Sequence, residues 1–194
     1  MSPALSHEAD PAGADWADRR ADARRNHERI VAAAVEVFAE RGLEATVPEV
    51  AARAGVGKAT VYRSYPTKAD LVEAVARHRI TWLIERVDAA ARQPDAFEAL
   101  RSLLIDIAER LASDRFLVEV LPHDQRWNGQ TRSTEQFAGL VAAAVEQGRL
   151  RPDATLQDIR VLVGGYSRVL LDLGIRDPAQ WRRYAALALD ALRT

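Results

Sequence analysis

The sequence predicts an all-α protein in two parts, a small N-terminal head of three helices and a larger helical body. Three observations point there. Apolar residues recur at intervals of three and four through most of the chain, and no stretch alternates apolar and polar as a half-buried strand would. Glycines and helix-capping residues punctuate the chain at helix-length intervals. One stretch, Thr46 to Asp70, crowds two short helices, a glycine turn between them, a proline stop and the start of a further helix into very little chain.

Composition sets the bounds. Of 194 residues, 48% are hydrophobic and 28% charged, which suits a chain able to bury a sizeable core. No apolar run is long enough to span a bilayer. The first residues lack the basic and apolar regions of a signal peptide. Cysteine is absent, which excludes disulfides, thiolate metal sites and a cysteine nucleophile. The expectation is a soluble, cytoplasmic protein without a membrane partner.

The net charge of −1 is unevenly spread. Residues 1–18 carry four acids and no Lys or Arg, whereas residues 19–68 carry ten Lys or Arg against six Asp or Glu. A local basic excess of that kind attracts a polyanion, although solvated faces also acquire one by chance.

Residues 1–18, rich in Ala, Asp, Pro and Gly, have little to bury and are expected to be a disordered tail. The first helix shows one face through Ile30, Ala34, Val37 and Phe38, and Gly42 ends it, with Leu43 expected to fold back onto Phe38. Thr46 and Glu49 form a capping box, and Pro48 is tolerated in the first turn that follows. The second helix spans about 47–54 and stops at Gly55; the third spans about 58–64 and stops before Pro66. Thr67 and Asp70 repeat the capping pattern for a fourth.

Isolated helices of this length are unstable in water, so packing must hold them. At about 100° per residue Val61 and Tyr65 point inward while Ala59, Thr60 and Arg63 point away, flanked by Lys58 and Tyr62. A short helix of that kind, joined by a glycine turn to the one before it, is a helix-turn-helix, whose second helix fits the DNA major groove. Lys68 stands in the first turn of the fourth helix, where the dipole opposes a cation by about 0.3–1 kcal/mol. An anion there, such as a DNA phosphate, would reverse that cost, though a surface lysine tolerated at small expense reads equally simply.

Residues from about Arg24 to Val75 resemble the DNA-binding head of the TetR family of bacterial repressors. The resemblance is carried by Ile30, Ala33, Ala34, Phe38, Gly42, Thr46, Val50, Ala51, Ala54-Gly55-Val56, Thr60-Val61-Tyr62, Tyr65-Pro66, Lys68 and Leu71. It implies that Lys68 and Tyr62 contact phosphate and that Thr46 lies on the DNA backbone. The chain departs from the pattern at Gly57, where a serine-like cap is usual, and at Ser64, where a phosphate-binding aromatic or histidine is common.

Residues 19–68 are thus expected to form a helix-turn-helix DNA-binding domain and 69–194 a helical ligand-binding and dimerisation domain. In the body, Leu71, Val75, His78 and Trp82 share a stripe, as do Leu100, Leu103, Leu104, Ile107 and Leu111. Further helices are read at about 133–146, 155–173 and 178–192, with Gly148 and Gly174 as stops. The resemblance implies a homodimer built on the last two, with Leu162, Val163, Leu170, Leu171, Trp181 and Tyr184 as contributors. Gly164-Gly165 inside a helix fits close approach of a partner helix or tight packing within the subunit.

Candidates for a small-molecule site are Trp82, Phe97, Phe116, His123, Trp127, Phe137 and Tyr166, although aromatics at helical spacing more often belong to a core. The four histidines make no metal-ligand spacing, and no nucleophile elbow or phosphate loop is present, so neither a cofactor nor catalysis is expected. The expected partners are double-stranded operator DNA, an unidentified small molecule and a second copy of the chain. The rival reading is a helical small-molecule-binding or adapter protein whose head no longer binds DNA.

Overall fold

The computed structural model describes residues 11–124, 129 and 131–194, with residues 11–20 described as backbone only. Among the described residues every regular element is helical: α1 (Pro11–Arg41), α2 (Val47–Ala54), α3 (Lys58–Ser64), α4 (Lys68–Ala90), α5 (Ala96–Ser113), α6 (Arg115–Val120), α7 (Arg132–Glu146), α8 (Leu156–Asp172) and α9 (Pro178–Asp190). Short 3-10 turns follow α1 (Gly42–Glu44) and α6 (Leu121–His123).

α1 begins earlier than expected. Residues 11–18 continue the helix rather than belonging to a loose tail, in keeping with their alanines and with Pro11 in the first turn, where proline costs no hydrogen bond. Residues 1–10 lie outside the described residues.

α1 packs on α2, α4 and α6, and α5 lies at the centre of the body against α4, α7 and α9. One continuous apolar core runs through both parts. Phe38 of α1 meets Phe116 of α6 edge-on at 5.3 Å, so the expected boundary after residue 68 falls within a shared core. α4 belongs to both sides: Leu71 and Val75 are buried near the head, Leu83 and Val87 further along.

The α4 stripe differs from the expected one in an informative way. It runs through Arg79, with His78 exposed and Trp82 half-buried. Arg79, 9% exposed, pairs with Asp114 at 2.9 Å and donates to the Val35 carbonyl at 3.3 Å. Asp114 caps α6 by accepting from the Leu117 N–H at 3.2 Å. Burial pushes its carboxyl up to about 6, with the Leu117 N–H and then Arg110 pulling it back. This buried pair ties α1, α4 and α6 together.

The four glycines expected to end helices, Gly42, Gly55, Gly148 and Gly174, all have positive φ. At Gly42 (φ 58°) the left-handed backbone favours glycine, and the Glu119 carboxylate lies where a Cβ would be, 2.3 Å away, so it would have to shift for any other residue.

Candidate nucleic-acid interface and effector cavity

The head's corner is assembled from capping interactions. The Thr46 N–H and hydroxyl both donate to the Glu49 carboxylate at 2.8 Å, and the Glu49 N–H donates to the Thr46 hydroxyl at 3.4 Å. These bonds hold the Glu49 carboxyl below its ordinary range, the Thr46 hydroxyl contributing most. α2 ends at Gly55 in the left-handed conformation, and there Arg29 of α1 donates to the Ala54 carbonyl at 2.7 Å. Arg53 bridges Glu36 and Glu40 of α1, each at 3.1 Å. Sequence reading passed over Arg29 and Arg53, because their partners lie 25 and 13 to 17 residues away.

α3 then presents a divided surface. Val61 is fully buried and Tyr65 nearly so, while Lys58, Ala59, Tyr62 and Arg63 are exposed and Thr60 is half-buried. The Tyr65 hydroxyl lies 3.3 Å from Nε2 of His27, and the two rings stack at 5.5 Å, which anchors the end of α3 to α1. On the outer face Arg63 donates to the Thr60 hydroxyl at 3.1 Å. Gly57 caps α3 without a side-chain bond.

Two expectations at this site change. Leu43 is 42% exposed, and its backbone is what the fold uses. Its N–H donates to Glu119 of α6 at 2.6 Å, and its carbonyl accepts from Lys68 Nζ at 2.6 Å. The ammonium at the start of α4 therefore already has an acceptor within the protein, which explains its position without an external anion. An ammonium has three donors, so this bond does not consume the group.

In the body, a cavity of about 230 Å³ lies between α5, α6, α7 and α8. Of the expected ligand residues that are described, only Phe137 lines it. Trp82 lies on the outer side of α4 between Arg86 and Arg110, Phe116 is consumed in the core against Phe38, and His123 is exposed. Tyr166 packs edge-on to Trp181 at 6.2 Å, and burial pushes its phenol pKa up. Phe97 lies beneath Arg149 and Arg193. Trp127 lies outside the described residues. The cavity's polar groups, Gln157, Arg160 and Ser167, were missed because a helical wheel sends such residues outward by default.

The last two helices also sort differently. Leu170 (2% exposed) and Trp181 (0%) fill the subunit's own core, the Trp181 indole N–H donating to the Ile175 carbonyl at 2.9 Å. Neither is available to a partner. Leu162, Val163, Leu171 and Tyr184 are half-buried, and the exposed apolar residues are Val161, Val169, Leu173 and Leu187. Nothing lies within 4 Å of a Cβ added at Gly164 or Gly165, so tight packing within the subunit does not account for these glycines.

Comparison with known proteins bears on the whole arrangement. Residues 30–75 match the family model for bacterial regulatory proteins of the tetR family. A TetR transcription regulatory protein from Mycobacterium vanbaalenii is similar in structure, with a TM-score of 0.55 and 31% identity over 90% of this chain and 99% of that one. The chain belongs to the TetR family. A TetR regulator from Streptomyces coelicolor is similar over 86% of this chain and 97% of its own, at 29% identity and a TM-score of 0.56. The HTH-type transcriptional repressor LfrR of Mycolicibacterium smegmatis is 40% identical over 83 residues, 41% of this chain and 42% of that protein. The chain thus matches less than half the length of that curated relative.

Among the described residues no helix is long and apolar enough to cross a membrane, and no three His, Asp or Glu gather as metal ligands.

Proposed function

We propose that this TetR-family chain is a cytoplasmic, homodimeric DNA-binding transcriptional repressor that a small molecule releases from its operator. The observation that carries the reading is the outer face of α3. Ala59, Tyr62 and Arg63 are exposed on a helix whose opposite face is locked by Val61 and Tyr65. Ala59, Thr60 and Arg63 would meet base edges, while Thr46, Lys58, Tyr62 and Lys68 would meet the DNA backbone. Lys68 would do so with the donors that Leu43 does not take.

The dimer would form on α8 and α9 through Val161, Gly165, Val169 and Leu173, which recur every four residues on one face, together with Leu187 and the half-buried Leu162, Leu171 and Tyr184. Two heads would then read successive major-groove faces of a near-palindromic site about 34–36 Å apart.

Release would run through α6. Leu117 and Val118 line the cavity, and on the same helix Glu119 holds the Leu43 N–H while Arg115 reaches Glu44 at 3.3 Å. A ligand that binds better with α6 displaced would pull on the Gly42–Leu43 corner and on Lys68, shifting the population away from the DNA-competent arrangement.

The test is titration of the full chain onto duplexes flanking its own gene at several salt concentrations. The expected result is preferential binding of one flanking segment. Lys68→Ala should weaken binding to all duplexes and lower the salt slope by about one unit, and Arg63→Ala should weaken chiefly the preferred one. Equal binding of flanking and scrambled duplexes would remove the regulator reading. An unchanged slope would leave Lys68 with its Leu43 bond alone.

A further inference from the structure

The cavity has an apolar wall and a polar stripe. Leu104, Ile107, Leu117, Leu121 and Phe137 supply the wall from three helices and the turn after α6. The stripe is on α8, where Gln157, Arg160, Gly164 and Ser167 are spaced by three, four and three residues and so share one face. Among the described residues no Asp or Glu lines the cavity.

Ser167 is 3% exposed, and its Oγ, beside the Tyr166 hydroxyl, has no hydrogen bond of ordinary geometry, a condition that buried hydroxyls rarely keep. Arg160, partly buried, donates to the Thr134 hydroxyl at 3.4 Å; its guanidinium carries five donors in a planar fork that matches a carboxylate. Gly164, between them, leaves the middle of the stripe bare.

Size and spacing narrow the ligand. An apolar cavity of 150 Å³ holds benzene, so about 230 Å³ holds roughly ten non-hydrogen atoms. Arg160 and Ser167 are seven residues apart on α8, roughly 10 Å along its axis, a distance that a chain of about eight carbons covers.

Resting on the assignment of this cavity as the effector site, we infer that its ligand is a small monocarboxylic acid with an apolar body of about eight carbons. The carboxylate lies on Arg160 and Gln157, the body fills the space over Gly164 against the leucine wall, and the far end reaches Ser167. An oxygen at that far end would give the Ser167 hydroxyl a hydrogen bond of ordinary geometry.

The test is calorimetric titration of the full chain with octanoate, octan-1-ol, 8-hydroxyoctanoate and tetradecanoate. Octanoate is expected to saturate a single site per chain, with octan-1-ol and tetradecanoate at least tenfold weaker and 8-hydroxyoctanoate tighter. Gly164→Leu, which fills the cavity from a position that meets no neighbour, should abolish binding with helix content unchanged. Arg160→Gln should erase the preference for acid over alcohol. If Gly164→Leu does not fold, Arg160→Gln decides alone. Octanoate binding no tighter than octanol, or untouched by these variants, overturns the assignment. DNA binding is followed in parallel. Intact DNA binding without acid binding overturns the acid alone, whereas acid binding that leaves DNA affinity unchanged supports the site and removes its regulatory role.

Discussion

The head and the junction with the body fasten their helices with polar groups in opposite ways. In the head the bonds are many, exposed and close to helix ends: Thr46 with Glu49, Thr67 with Asp70, Arg29 on Ala54, Arg53 on Glu36 and Glu40. At the junction they are few and buried, above all Arg79 with Asp114. An exposed bond competes with water and contributes little, so the head needs several to orient two helices too short to stand alone. A buried charge has no water to return to, so a single pair fixes three helices at once.

The largest effect should come from breaking the buried pair. Asp114→Ala strands the Arg79 charge in the core and removes the α6 cap, and is expected to cost about 3–5 kcal/mol in urea unfolding. The double variant Arg79→Met with Asp114→Asn keeps a capping residue and leaves no charge behind, so it should recover most of that loss. Recovery no better than the single variant would show that the pair itself, rather than the avoidance of a lone charge, holds the junction.

The exposed contacts of the head should respond far less. Arg53→Ala breaks both bridges to α1, yet its side chain is 41% exposed, and the expected cost is about 0.2–1 kcal/mol by the same unfolding measurement. A loss as large as that of Asp114→Ala would erase the distinction between the two regions.

What the sequence revealed follows the same division. Caps and stops are local signals, read within four residues, so Thr46, Thr67, Gly42 and Gly55 were legible, as was the inward turn of Val61 and Tyr65. The resemblance to the TetR family rests on that local grammar and on nothing in the cavity. Arg79 and Asp114 were not legible, because helical periodicity assigns charge outward and only a partner 35 residues away reverses it. The same default hid Arg160 and Ser167, and its converse misled for Leu170 and Trp181, whose apolar character suits a partner's surface and the subunit's own core alike. Lys68 was placed correctly in the first turn of α4, but its acceptor, the Leu43 carbonyl, is 25 residues away.

Gly57 offers a gain rather than a loss. Its φ of −72° suits any residue, it caps α3 without a side-chain bond, and an added Cβ meets nothing within 4 Å. Gly57→Ser should bond the start of α3 and restrict the unfolded chain, raising stability by about 0.4–1 kcal/mol. A drop in stability would mean that the α2–α3 corner requires the flexibility of glycine.

The smallest effect is the pH dependence that the exposed caps contribute. Glu49 and Asp158 are both held below the ordinary carboxylate range, chiefly by the hydroxyls of Thr46 and Thr155. A carboxyl lowered in the folded state stabilises it above the unfolded value, here 4.5 for Glu49, and that contribution is lost as pH falls through the lowered one. Glutamine retains the capping geometry without the charge, so Glu49→Gln should be slightly less stable than the parent protein at neutral pH and lose less stability on acidification. Thermal melts of the two proteins from neutral pH downward should therefore lie apart at neutrality and converge below the ordinary carboxylate value. Parallel curves throughout would show that the Thr46–Glu49 cap contributes nothing that depends on charge, and that its worth lies in the geometry of the bond.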